Sequence, residues 1–92
     1  MNEVVILVVD DEPMVLESLS EELERNFGGE YQIEAAESGE EALEIIEELR
    51  SEGSEIGVVI SDHLMPGLKG DELLIQIHNR YPNTLKIMLT GQ

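Results

Sequence analysis

Residues 4–13 read VVILVVDDEP. Six aliphatic residues, most of them β-branched, run without a polar interruption into three consecutive acids and a proline. An aliphatic run of strand length is the pattern of a strand buried on both faces of a parallel sheet. The acids at its end pose the functional question, because carboxylates placed side by side disfavour one another's ionisation.

The rest of the chain fits around that strand. Glu12-Pro13 opens a helix, with proline in the first turn where its missing N–H costs little. Met14/Val15, Leu19, Leu23 and Phe27 recur at spacings of three and four and give the expected inward stripe, while Glu17, Glu21, Glu22 and Glu24 face out. Gly28-Gly29 ends this helix. YQIEAAE (31–37) alternates as an edge or half-exposed strand does. Ser38 with Glu41 makes a capping box, and Ala42, Leu43, Ile45, Ile46 and Leu49 form the apolar stripe of a second helix. After the loop SEGSE, IGVVIS (56–61) reads as a second fully buried strand that ends at Asp62. MPGLKG (65–70) is a turn-rich loop, DELLIQIHNRY (71–81) a third helix closed by Pro82, and TLKIMLT (84–90) a fourth strand. Strict β-α alternation with aliphatic strands predicts an α/β fold, a doubly wound parallel sheet with right-handed crossovers and helices on both faces. No tandem repeat, low-complexity tract or linker divides residues 1–92, so one domain is expected.

The chain carries 21 acidic against 5 basic residues, a net charge of −16. Nucleic acid or an anionic membrane is therefore not expected as a direct partner, since both need a basic face. Most of the acids solvate helix surfaces; the remainder suit metal cations or a basic partner. Without cysteine there is neither a disulfide framework nor thiolate chemistry. MNEVV lacks the basic and apolar regions of a signal peptide, and no apolar run approaches the ~20 residues of a membrane span. A soluble, cytoplasmic domain is the expectation.

In sheets of this kind, ligands bind beyond the carboxyl ends of the strands, where the strand order reverses. The first strand delivers Asp10 and Asp11 to that edge, the third delivers Asp62 and the fourth Thr90. A hard divalent cation relieves the repulsion among carboxylates, and oxygen ligands with water suit Mg²⁺. Each residue also has a plainer use: Asp11 as a helix N-cap, Asp62 bonding the following turn, Thr90 as an ordinary strand end. His63 should point to the opposite side from Asp62 and is read as structural, His78 as a surface or boundary residue, and the methionines as isolated core fillers.

ILVVDDEP, VVISDHLMPGLKG and IMLTG resemble, in order and spacing, the receiver domains of two-component response regulators. The resemblance runs along essentially the whole chain. It implies the flavodoxin-like (CheY-like) fold, here with four strands in the order 2-1-3-4 and three helices. It further implies that Asp62 is the phosphoacceptor, taking a phosphoryl group from a phosphohistidine of a sensor histidine kinase or phosphotransfer protein. Asp10, Asp11, Asp62 and the backbone carbonyl of Leu64 would hold Mg²⁺, and Thr90 would be the switch hydroxyl. An output domain C-terminal to this segment would be a further partner. Such a module catalyses its own phosphorylation and dephosphorylation and is not a metabolic enzyme.

The family's fifth strand, with its lysine and switch aromatic, and the helices beside it find no match before Gln92. Neither Lys69 nor Lys86 stands in for that lysine by position. The domain is thus expected to be incomplete at its C-terminus, with weakened phosphorylation and an open fourth-strand edge, LKIML, through which it would self-associate. Two other readings stand beside this one. The chain could be a fragment that folds or assembles without switching, or a Mg²⁺-dependent aspartyl phosphatase using the acid after the first strand.

Overall fold

The computed structural model describes residues 4–62 and 67–89. The elements are β1 (Val4–Val9), α1 (Pro13–Phe27), β2 (Gln32–Ala36), α2 (Gly39–Ser51), β3 (Glu55–Asp62), α3 (Gly70–Arg80) and β4 (Leu85–Leu89). All strand pairs are parallel and the order across the sheet is β2-β1-β3-β4. The order reverses between β1 and β3, so β1 lies in the interior of the sheet, as its aliphatic run requires.

Alternation along β1 sorts its side chains between two unequal faces. Val5, Leu7 and Val9 join Ala36, Ile56 and Val59 under Ala42, Ile46 and Leu49 of α2 and Leu73 and Ile77 of α3, all buried. Val4 and Ile6 face the other way, toward α1. There α1 covers β1 and β2 but leaves the β3–β4 half of the sheet open. The result is an apolar groove of about 490 Å³ lined by residues that include Ile6, Leu23, Phe27, Val58, Ile60 and Ile87.

That asymmetry corrects three expectations. β3 is not buried on both faces: Ile56, Val59 and Ser61 are, but Val58 and Ile60 are only half-buried because they line the groove. In α1, Leu16 is the fully buried residue, while Met14 and Val15 are 83% and 46% exposed. The helix is rolled so that Leu16, Leu19, Ser20 and Leu23 face inward. Phe27 is also exposed and stands edge-on to Tyr31, ring centroids 6.2 Å apart. Met14 and Met88 consequently fill no core.

α2 starts as expected. The Ser38 hydroxyl accepts the Glu41 N–H at 3.0 Å, but Glu41 reaches past Ser38 to accept the Glu37 N–H at 2.7 Å. Thr84, buried, donates to the Ile56 carbonyl at 2.7 Å and ties the start of β4 to β3.

Candidate functional site

The two central strands end side by side, and the acids ride on their ends. Asp10 is the first residue past β1; its N–H donates to the Ala36 carbonyl at 3.2 Å, which extends the β1–β2 ladder by one rung. Asp62 is the last residue of β3 and pairs with Leu89 of β4. The Ser61 hydroxyl donates to the Asp62 carbonyl at 3.0 Å.

One carboxylate oxygen from each of Asp10, Asp11 and Asp62 lies within 4.8 Å of the other two. Ligand oxygens around Mg²⁺, at roughly 2.1 Å from the metal, stand about 3–4 Å apart, so small side-chain adjustments would close the set on the ion. The donors are all hard oxygens, with no imidazole or thiolate among them, which fits Mg²⁺ and disfavours softer metals.

The three acids are not equivalent. Asp10 is buried and its Oδ1 accepts the Glu12 N–H at 2.9 Å. Burial raises its pKa above the ordinary value of 3.8; the bond from Glu12 works against this, and the charges of Asp62 and Asp11 add to it. Asp11 and Asp62 are half-buried, within reach of a ligand. Asp11 is not the helix N-cap either. That position belongs to Glu12, which makes no side-chain capping bond. The plainer use of Asp11 is therefore removed, and its carboxylate is left facing the cluster.

Thr90, Leu64 and His63 lie outside the described residues. Lys69 sits at the N-cap of α3, where its N–H donates to Glu72. Lys86 pairs with Val59 in mid-sheet and turns its Nζ to His78 Nδ1 (3.0 Å) and the Pro82 carbonyl (3.3 Å). Its ammonium is thus engaged at the opposite pole from the acids. His78 is exposed, as a surface residue.

Parallel strands in this order, with acids gathered at the carboxyl ends of the two central ones, define a receiver-type α/β module. The chain belongs to the response regulator receiver domain family, whose model matches residues 6–92. It is 37% identical over 87 residues to the response regulator MprA of Mycolicibacterium vanbaalenii, a match spanning 95% of this chain and 34% of that protein. A response regulator receiver domain from Clostridium thermocellum superposes with a TM-score of 0.83 at 35% identity, covering 97% of this chain and 66% of the other. The response regulator TrrA of Thermotoga maritima, solved in complex with Mg²⁺ and BeF, superposes with a TM-score of 0.77 at 38% identity, covering 100% and 71%. The chain therefore spans about a third of its curated relative MprA and about two-thirds of these solved chains.

Proposed function

We propose that this chain is a phospho-accepting switch module that takes a phosphoryl group from a sensor histidine kinase or phosphotransfer protein onto Asp62. The observation that carries the reading is the convergence of Asp10, Asp11 and Asp62 at the ends of β1 and β3. A carboxylate oxygen of Asp62 attacks phosphorus, the N–P bond of the phosphohistidine breaks, and the imidazole departs with the bonding pair, leaving an acyl phosphate. Asp10, Asp11, Asp62 and the Leu64 carbonyl would hold Mg²⁺, which when bound neutralises charge on the transferring group. Thr90 would donate its hydroxyl to a phosphoryl oxygen. The modification exchanges the single charge of the Asp62 carboxylate for a phosphoryl group carrying close to two, beside two standing carboxylates, a local change of charge and shape for an output domain to read. Among the described residues no helix is long and apolar enough to cross a membrane, which is compatible with a cytoplasmic setting.

Intact mass after incubation with Mg²⁺ and a small-molecule phosphodonor tests this. Wild type should gain one phosphoryl group and Asp62→Asn none. A gain retained by Asp62→Asn, or no gain in protein confirmed to be folded, contradicts the assignment.

The same reading carries an expectation for assembly. Leu85, Ile87, Met88 and Leu89 are all exposed on the outer strand, beside the apolar groove. Self-association through this edge should appear in sedimentation as a concentration-dependent rise in mass. Added salt should strengthen it, by screening the charge of −16, and Ile87→Lys should abolish it. A monomer at every concentration contradicts it.

A further inference from the structure

Three polar side chains are buried among the described residues: Asp10, Ser61 and Thr84. Asp10 belongs to the acid cluster, and Thr84 ties the start of β4 to β3. Ser61 does neither. It is 0% exposed and shares the face of Val59, two residues before it, on the side of the sheet that α2 and α3 cover.

The other buried positions of β3 are aliphatic, Ile56 and Val59. A serine in their company gives up apolar burial and strand propensity, and its hydroxyl must be withdrawn from water. The hydroxyl is bonded, and the direction of the bond separates it from that of Thr84. Thr84 reaches across to a neighbouring strand, whereas Ser61 reaches forward along its own, to the Asp62 carbonyl at 3.0 Å.

Ser61 stands one rung below the acids, between Val9 of β1 and Met88 of β4. Two constraints then meet on Asp62, the last residue of β3. Pairing with Leu89 holds its backbone from the side, and the Ser61 hydroxyl holds its carbonyl. Together they limit rotation about the Cα that carries the carboxylate.

We propose that Ser61 is a positioning residue for the acid cluster, its buried hydroxyl holding the Asp62 backbone in the orientation that presents the carboxylate to a cation and to a phosphoryl group. The proposal rests on the assignment of Asp62 as metal ligand and phosphoacceptor. A carboxylate oriented before its ligand arrives loses less freedom on binding.

The test compares Ser61→Ala, Ser61→Thr and Thr84→Val with wild type by Mg²⁺ titration, by the ¹³C shift of the Asp62 carbonyl and by urea denaturation. Ser61→Ala should move the carbonyl carbon upfield, as loss of a hydrogen bond does, and weaken Mg²⁺ binding about fivefold. Its urea midpoint should change little, because a methyl group suits the aliphatic surroundings. Thr84→Val removes the same kind of bond at the other end of β3 and should do the reverse, lowering the urea midpoint and leaving the Mg²⁺ affinity of the folded protein unaltered. Ser61→Thr keeps a hydroxyl and should restore both the carbonyl shift and the affinity. An unmoved Asp62 carbonyl in Ser61→Ala, or a moved one with unaltered affinity, would overturn the proposal. So would equal weakening by Thr84→Val, which would assign the effect to general loosening of β3. If wild type itself binds no Mg²⁺, the metal assignment falls and the proposal falls with it, a result told apart from the others because wild type already fails.

Discussion

Leu7→Ala is expected to remove a large share of the chain's stability. Leu7 is 0% exposed and sits at the middle of the central strand, paired with Glu34 of β2 on one side and Val59 of β3 on the other. Its side chain belongs to the buried cluster beneath α2 and α3. Removing it costs the transfer free energy of the lost methyl groups and leaves a cavity that two flanking strands hold open, roughly 2–5 kcal/mol in all. Small domains have only about 5–15 kcal/mol to lose. A chain whose other face is half open belongs at the low end of that range. Leu85→Ala is the matched control: the same change at a residue 58% exposed should move stability by no more than about 0.5 kcal/mol. Urea denaturation of the two variants measures the contrast, and equal losses would contradict the described core.

Asp10→Asn is expected to do the reverse, stabilising the metal-free protein at neutral pH while abolishing its response to Mg²⁺. The folded state holds the Asp10 proton more tightly than the unfolded chain does, because burial and the neighbouring charges of Asp62 and Asp11 outweigh the Glu12 bond. Over the pH window that opens at the ordinary value of 3.8 and closes at the raised folded value, the native state binds more protons. Stability must fall as pH rises through that window. Above it the full penalty is present; below it there is none. Asparagine removes the charge, fits the same space and still offers an oxygen to the Glu12 N–H. At neutral pH the gain should appear as a higher melting temperature for the variant. It should vanish in acid, where Asp10 is protonated in both states. Saturating Mg²⁺ should reverse the ranking, since ligand at a hundred times its Kd stabilises wild type by about 2.7 kcal/mol and the variant hardly at all. A loss of stability in metal-free Asp10→Asn at neutral pH would contradict the described electrostatics.

The core strand and the acid cluster are legible in the sequence to different depths. β1 was legible because the uninterrupted aliphatic run VVILVV has strand length and suits the interior of a sheet, and β-α alternation then set the direction of every other strand. The meeting of Asp10, Asp11 and Asp62 followed from that topology alone, since residues 52 positions apart become neighbours when β1 and β3 pair in parallel. The roll of α1 was not legible. Val15-Leu19 and Leu16-Leu19-Leu23 are both apolar series at helical spacing, and only contact with β1 and β2 decides that Leu16 goes in while Met14, Val15 and Phe27 stay out. The half-burial of Val58 and Ile60 was hidden for a related reason: an aliphatic strand reads the same whether or not a helix lies over its second face. Nor could the sequence divide the acids into a buried Asp10 bonded to Glu12 and two accessible partners, because that depends on how the chain turns after β1. Ser61 gave no signal either. It closes IGVVIS as an ordinary strand end, and the direction of its bond shows only in the fold. Thr90 and Leu64 stand on the family resemblance.

The most direct test of the central claim is to locate the covalent phosphate. Protein treated with Mg²⁺ and a phosphodonor is reduced with borohydride, which converts an aspartyl phosphate to homoserine, and the converted residue is then read by peptide mass spectrometry. Conversion at position 62 alone is the predicted result. Conversion at position 10 would make the chain an aspartyl phosphatase-type catalyst, and the assignment of Asp62 as phosphoacceptor would be wrong.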